Sequence, residues 1–145
     1  TARVHERLAA EQDMGLTTFD FYAEFGARVD DIRTDLLDLL HGLARGGARL
    51  AAYGAAAKGS TLLNSTGIGT DLLDYVVDRN PHKQGLLMPG VHVPIVGPEV
   101  LATDPPDHLL LLAWNFAEEI LRQQDDYRRA GGTFIVPSPT PRIIR

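Results

Sequence analysis

The stretch "AAYGAAAKGSTLLN", residues 51–64, decides the fold, because a short apolar segment runs through two glycines and a lysine directly into a helical pattern. A strand, a glycine turn and a helix in that order aim the helix's unsatisfied N–H groups back at the strand end, which is how a pyrophosphate is held in a dinucleotide-binding fold. Here Gly54-Ala55-Ala56-Ala57-Lys58-Gly59 keeps the first and third glycines of G-x-G-x-x-G but has Ala56 at the second. Its methyl group stands where the backbone should approach the ligand most closely, which weakens a standard NAD site. A P-loop is excluded, since its lysine follows the second glycine and Lys58 precedes Gly59. Two readings remain: an anion site built from the helix N-terminus and Lys58, or a tight turn with a solvated lysine.

Outward from this turn, short apolar segments alternate with helical ones. Strands are expected at 48–54, 72–78, 93–97, 108–114 and 132–137, and helices at 59–66, 116–130 and, briefly, 98–102. Several of the strands are continuously apolar, as a parallel sheet covered on both faces requires, and parallel neighbours need crossover connections. The pattern predicts an α/β fold, Rossmann-like and doubly wound, with a mainly parallel five-strand sheet preceded by a long N-terminal helix. The tail "PSPTPRIIR" is broken by prolines and should be extended.

In such a sheet ligands bind outside the carboxyl ends of the strands, at the switch in strand order. That edge collects Tyr53 and Gly54, then Asp78, then Trp114 and Asn115, then Pro137 and Ser138. Asp78 lies 24 residues beyond Gly54, near the spacing of a ribose-binding acid, and can equally be a strand-end cap for the turn "DRNPHKQG". Trp114 offers a stacking face, and Asn115 both a donor and an acceptor. Glu118 and Glu119 suit the start of a helix. The five histidines show no metal-ligand spacing, so no metal is expected in this chain, and no catalytic residue can be named.

From Tyr22 the apolar residues fall at 22, 25, 29, 32, 36, 39 and 43, one stripe of a helix from about Thr18 to Gly46-Gly47. Its face should be buried, against its own domain, a neighbouring one or a second copy. Residues 1–46 read as a helical lead-in from a missing upstream domain, and 47–145 as the Rossmann-like domain.

Composition bounds the partners. A chain of 145 residues, 44% hydrophobic, buries one ordinary core. A net charge of -5 disfavours binding to nucleic-acid phosphates, and no apolar run suggests a membrane span. The absence of cysteine excludes disulfides, thiol catalysis and cysteine-ligated zinc from this chain. No signal-peptide pattern is present, and a cytoplasmic location is expected.

Taken together, "AYGAAAKGSTLLN", "DYVVDRNPHKQGLLMPGVHVPI", "LLLAWNFAEEI" and "GGTFIVPSPTP" resemble the C-terminal domain of S-adenosylmethionine (SAM)-dependent sugar C-methyltransferases, over about Gly47 to Pro141. The resemblance implies an enzyme of antibiotic sugar biosynthesis that methylates a dTDP-linked 4-keto deoxysugar, by proton abstraction beside the ketone and attack of the enolate on the methyl donor. It implies a nucleotide sugar held between this domain and an upstream SAM-binding domain, with zinc in a further N-terminal domain. The SAM and catalytic residues would lie outside this chain, leaving it inactive alone. Substrate-binding positions are then expected at Tyr53, Gly54, Ala56, Lys58, Gly59, Asp78, Asn80, Lys83, Trp114 and Asn115. A stand-alone nucleotide- or NAD-binding module and a non-catalytic interaction domain remain as alternatives.

Overall fold

The computed structural model describes residues 1–145. Its centre is β1 (Leu50–Tyr53), four residues that are all buried. Alternate side chains of a strand point to opposite faces, so full burial of β1 requires cover on both sides. Leu50 and Ala52 face one core, with Leu36, Leu40 and Leu63. Ala51 and Tyr53 face another, with Leu101, Ile120 and Tyr127. The first core lies under α2 (Phe19–Arg45) and α3 (Ala57–Thr66), the second under α4 (Val100–Thr103), α5 (Ala117–Gln123) and α6 (Asp125–Arg129). Three layers, helix–sheet–helix, result.

The sheet adds β2 (Val76–Val77), β3 (Ile95–Val96), β4 (His108–Leu111), β5 (Thr133–Val136) and β6 (Arg142–Ile144), in the order β3-β2-β1-β4-β5-β6. The five pairings from β3 to β5 and on to β6 are parallel except the last, β5 with β6, which is antiparallel. β1 is paired on both sides, with Tyr53 opposite Val77 and opposite Leu111. The strand order therefore reverses between β1 and β4.

Six strands stand where five were expected. The tail is extended, as its prolines require, but residues 142–144 turn back and pair with β5, Ile135 opposite Ile143, so β5 is paired on both sides. The single helix expected over 116–130 is also corrected. It is a 3₁₀ turn (Trp114–Phe116) followed by α5 and α6, separated at Gln124, whose ψ of 33° lies outside the helical range.

The long helix starts and stops where its sequence indicates. Thr18 accepts a hydrogen bond from the Phe21 amide as N-cap, and Gly46 ends the helix before Gly47 at φ +86°. Its stripe is only half buried, contrary to expectation. Leu36 and Leu40 are fully buried, whereas Tyr22, Phe25 and Val29 are 56%, 57% and 47% exposed. Burial ends where the sheet ends, because four-residue strands span roughly 13 Å while 27 helical residues span roughly 40 Å. Before α2 lies a further helix, α1 (Ala2–Asp13), with no buried residue. Its two large apolar residues, Val4 and Leu8, lie four apart on one face and are exposed.

At the amino edge of the sheet, Arg49 ties the connections together. Its guanidinium donates to Asp74 (2.9 Å) and Asp104 (2.6 Å), while its backbone N–H donates to Asp107 (2.7 Å). The bonded guanidinium holds the Asp104 carboxyl below its ordinary range.

Candidate functional site

At the carboxyl edge, the turn from β1 into α3 shows why its glycines stand where they do. Gly54 adopts φ +94°, and a side chain there would come within 3.0 Å of the Ala113 Cβ. A Cβ on Gly59 would lie 2.7 Å from the Leu112 Cβ, so α3 packs against the sheet at glycine distance. Ala56 is the N-cap with extended backbone and no side-chain cap. The N–H groups of Ala57, Lys58 and Gly59 have no acceptor in the chain, as expected for an uncapped first turn.

Lys58 crosses from this turn to the end of β4. Its amine donates to the Asn115 side-chain oxygen and sits 4.5 Å from the centre of the Trp114 ring. β1 and β4 are neighbours in register, so the residues that follow them are brought to one crevice. Three positions named from the sequence, Lys58, Trp114 and Asn115, thus meet as one cluster.

Asp78, Asn80 and Lys83 form a second cluster. One Asp78 oxygen accepts from the Ala55 N–H (2.8 Å) and the Lys83 amine (3.3 Å), and the other from the Asn80 N–H (2.8 Å). Lys83 also donates to the Ala55 carbonyl (2.7 Å), and the Asn80 side chain accepts from the His82 N–H (3.0 Å). This lattice clamps the glycine turn to the loop after β2. The Asp78 carboxylate caps the strand end with three donors and also borders a cleft on this edge.

Two clefts open on this edge. One, about 340 Å³, lies among Tyr53, Gly54, Arg79, Phe116 and Ile120, with Asp78 and Glu119 at its sides. The other, about 420 Å³, is polar and includes Trp114, Asn115, Arg122, Ser138 and Arg142. Phe116 and Glu119 border both. Tyr53 forms a buried wall whose hydroxyl accepts from Gln124 (3.0 Å), and burial pushes its pKa up.

Arg79, Phe116, Arg122 and Arg142 were not singled out from the sequence. Arg79 directly follows the strand-end Asp78, and Phe116 follows Trp114-Asn115, so adjacency to named positions was the available signal. Arg142 reaches the edge only because the tail pairs with β5. No three His, Asp or Glu side chains converge to hold a metal, so the zinc implied by the resemblance has no donor set among these residues.

The model of the C-methyltransferase C-terminal domain family matches residues 1–139. C-methyltransferase NovU of Streptomyces niveus is 40% identical over 141 residues, which cover 97% of this chain and 34% of NovU. The chain thus spans about a third of the length of that relative. With the match running through α1, α2 and strands β1 to β5, the chain belongs to the C-methyltransferase C-terminal domain family.

Proposed function

We propose that this chain is the acceptor-binding domain of a SAM-dependent C-methyltransferase, and that its acceptor is a dTDP-linked 4-keto deoxysugar of an antibiotic pathway. The observation that carries the reading is the convergence of Lys58, Trp114 and Asn115 beside the free amides of α3, at the reversal of strand order. A full positive charge next to the partial charge of a helix N-terminus favours phosphate, and the aromatic and amide groups favour a ring and its hydroxyls. The strand order is that of dinucleotide-binding folds, which supports calling the domain Rossmann-like, with β6 antiparallel as the departure.

SAM, when bound, supplies the methyl group. We place its site, the catalytic base and any zinc in the part of the longer protein upstream of residues 1–46, which lead in from it. Ala56 at the second glycine position disfavours a stand-alone NAD module. No helix is long and apolar enough to cross a membrane, consistent with a cytoplasmic enzyme that acts on a soluble nucleotide sugar. Calorimetry on the longer protein tests the assignment: Lys58→Met should weaken the nucleotide sugar and leave SAM affinity unchanged. Equal sugar-nucleotide affinity would remove Lys58 from the site, and selective loss of SAM would place the two ligands in the wrong domains.

A further inference from the structure

The turn from β1 into α3 is bonded on both sides of Ala55 by one ion pair, Lys83 with Asp78. We infer that these two are positioning residues for an anion: their bridge fixes the peptide groups of Ala55, and through them the aim of the free N–H groups of Ala57, Lys58 and Gly59, without touching the phosphate. This rests on the reading that the edge binds a nucleotide sugar, with its phosphates at this turn.

Only Ala55 and Ala56 separate Gly54 from Ala57, the first residue of α3. The Ala56 N–H donates to the Gly54 carbonyl (2.7 Å), a three-residue turn that pairs neither polar group of its central residue, Ala55. Asp78 accepts the Ala55 N–H at 2.8 Å, and the Lys83 amine donates to the Ala55 carbonyl at 2.7 Å, so the ion pair satisfies both. Ala55 is buried, and without those partners its peptide groups would be left unpaired. Rotating either peptide plane would break one of these bonds and swing the first turn of α3 with it.

The bridge is itself braced. The Asp78 N–H donates to the Val96 carbonyl (3.0 Å), the Lys83 N–H to the Asn80 carbonyl (3.0 Å) and the Gln84 side chain to the Asp78 carbonyl (3.0 Å), which fold the loop back and return Lys83 to the strand end. The Asp78 side chain is 13% exposed and that of Lys83 38%. Lys83 gives two of its three N–H donors to Ala55 and Asp78, so its charge faces a carboxylate of the same chain. Lys58 differs, because its partners, Asn115 and the Trp114 ring, are neutral. Lys58 thus supplies uncompensated charge to the turn, and Lys83 supplies geometry. Donors displaced by about 1 Å lose much of their effect on a ligand, which is why the shape of the turn matters to binding.

The test titrates the 145-residue chain with inorganic pyrophosphate and with dTDP, followed by calorimetry and by the amide NMR signals of Ala57, Lys58 and Gly59. Coulomb attraction alone predicts that Asp78→Asn, which removes a negative charge, tightens pyrophosphate. The bridge predicts the reverse, because the amide nitrogen of the variant cannot accept from Ala55, Lys83 or Asn80. Asp78→Asn and Lys83→Met should each weaken pyrophosphate by about tenfold, and the double variant should be no weaker than either by more than about twofold. Arg49→Met removes the bridge to Asp74 and Asp104 at the opposite edge, and should lower the urea midpoint while leaving both affinities unchanged. Circular dichroism verifies the fold of each variant, and Asp78→Ser repeats the sign test if Asp78→Asn does not fold. Tightened or unchanged pyrophosphate with Asp78→Asn, or additive losses in the double variant, overturns the positioning role while the nucleotide-sugar reading stands. Loss of dTDP alone, with pyrophosphate unaffected, overturns it too and puts Asp78 in contact with the nucleoside. If the unaltered chain takes dTDP but not pyrophosphate, the turn holds no phosphate and the positioning role falls by itself. If neither this chain nor the longer protein binds dTDP, both fall together.

Discussion

The Lys58 amine lies 4.5 Å from the centre of the Trp114 ring while donating to Asn115, so a residue of the first helical turn after β1 is anchored on two residues that follow β4. Removing that amine tests how much the anchor matters to the fold. Lys58→Met should lower stability by no more than about 1 kcal/mol, the range of an exposed cation–π contact. Urea unfolding followed by Trp114 fluorescence measures it. A loss of several kcal/mol would make Lys58 a structural residue first.

The long helix should respond in two halves. Leu36→Ala or Leu40→Ala should each cost about 2–5 kcal/mol, since both are fully buried in the core over the sheet. Phe25→Ala and Val29→Ala should each stay within about 0.5 kcal/mol in this chain, because their side chains are about half exposed. Denaturant midpoints of the four variants give the comparison. Equal losses in both halves would mean that the stripe is covered along its whole length.

Gly59→Ala should destabilise by about 1–3 kcal/mol although alanine is the better helix former, because the new methyl would meet Leu112 at 2.7 Å. A stabilised variant would show that α3 can lift from the sheet without cost.

Stability should fall on mild acidification. His108 bonds Thr133 through Nδ1, and partial burial lowers its pKa below the ordinary 6.5, so the folded state favours the neutral ring. A depressed histidine contributes stability that is fully present above 6.5 and lost as pH falls from 6.5 through the folded value. Asp104 adds a second loss at lower pH, as the solution falls below its unfolded value of 3.8 toward its depressed folded one. Thermal midpoints of the wild type and of His108→Asn across this range check the sign. A slope unchanged by the substitution would assign the first loss to another group.

Local rules carried the turn at Gly54–Gly59, the start of α2 at Thr18 and its end at Gly46, since caps, glycine conformations and helix periodicity act over a few residues. They also identified the strands as a parallel set, because continuous apolar runs need cover on both faces. The convergence of Lys58 with Trp114 and Asn115 was legible to the extent that the fold implied neighbouring strands. The donors that Asp78 meets were not, because Ala55 and Lys83 come from a turn and a loop that meet only in the folded chain. The split fate of the α2 stripe was likewise invisible, because periodicity states which face is apolar and only the length of the sheet beneath it states how much is covered. The tail's pairing with β5, which delivers Arg142 to the polar cleft, was decided by an open strand edge far away in sequence, and no short-range pattern encodes that.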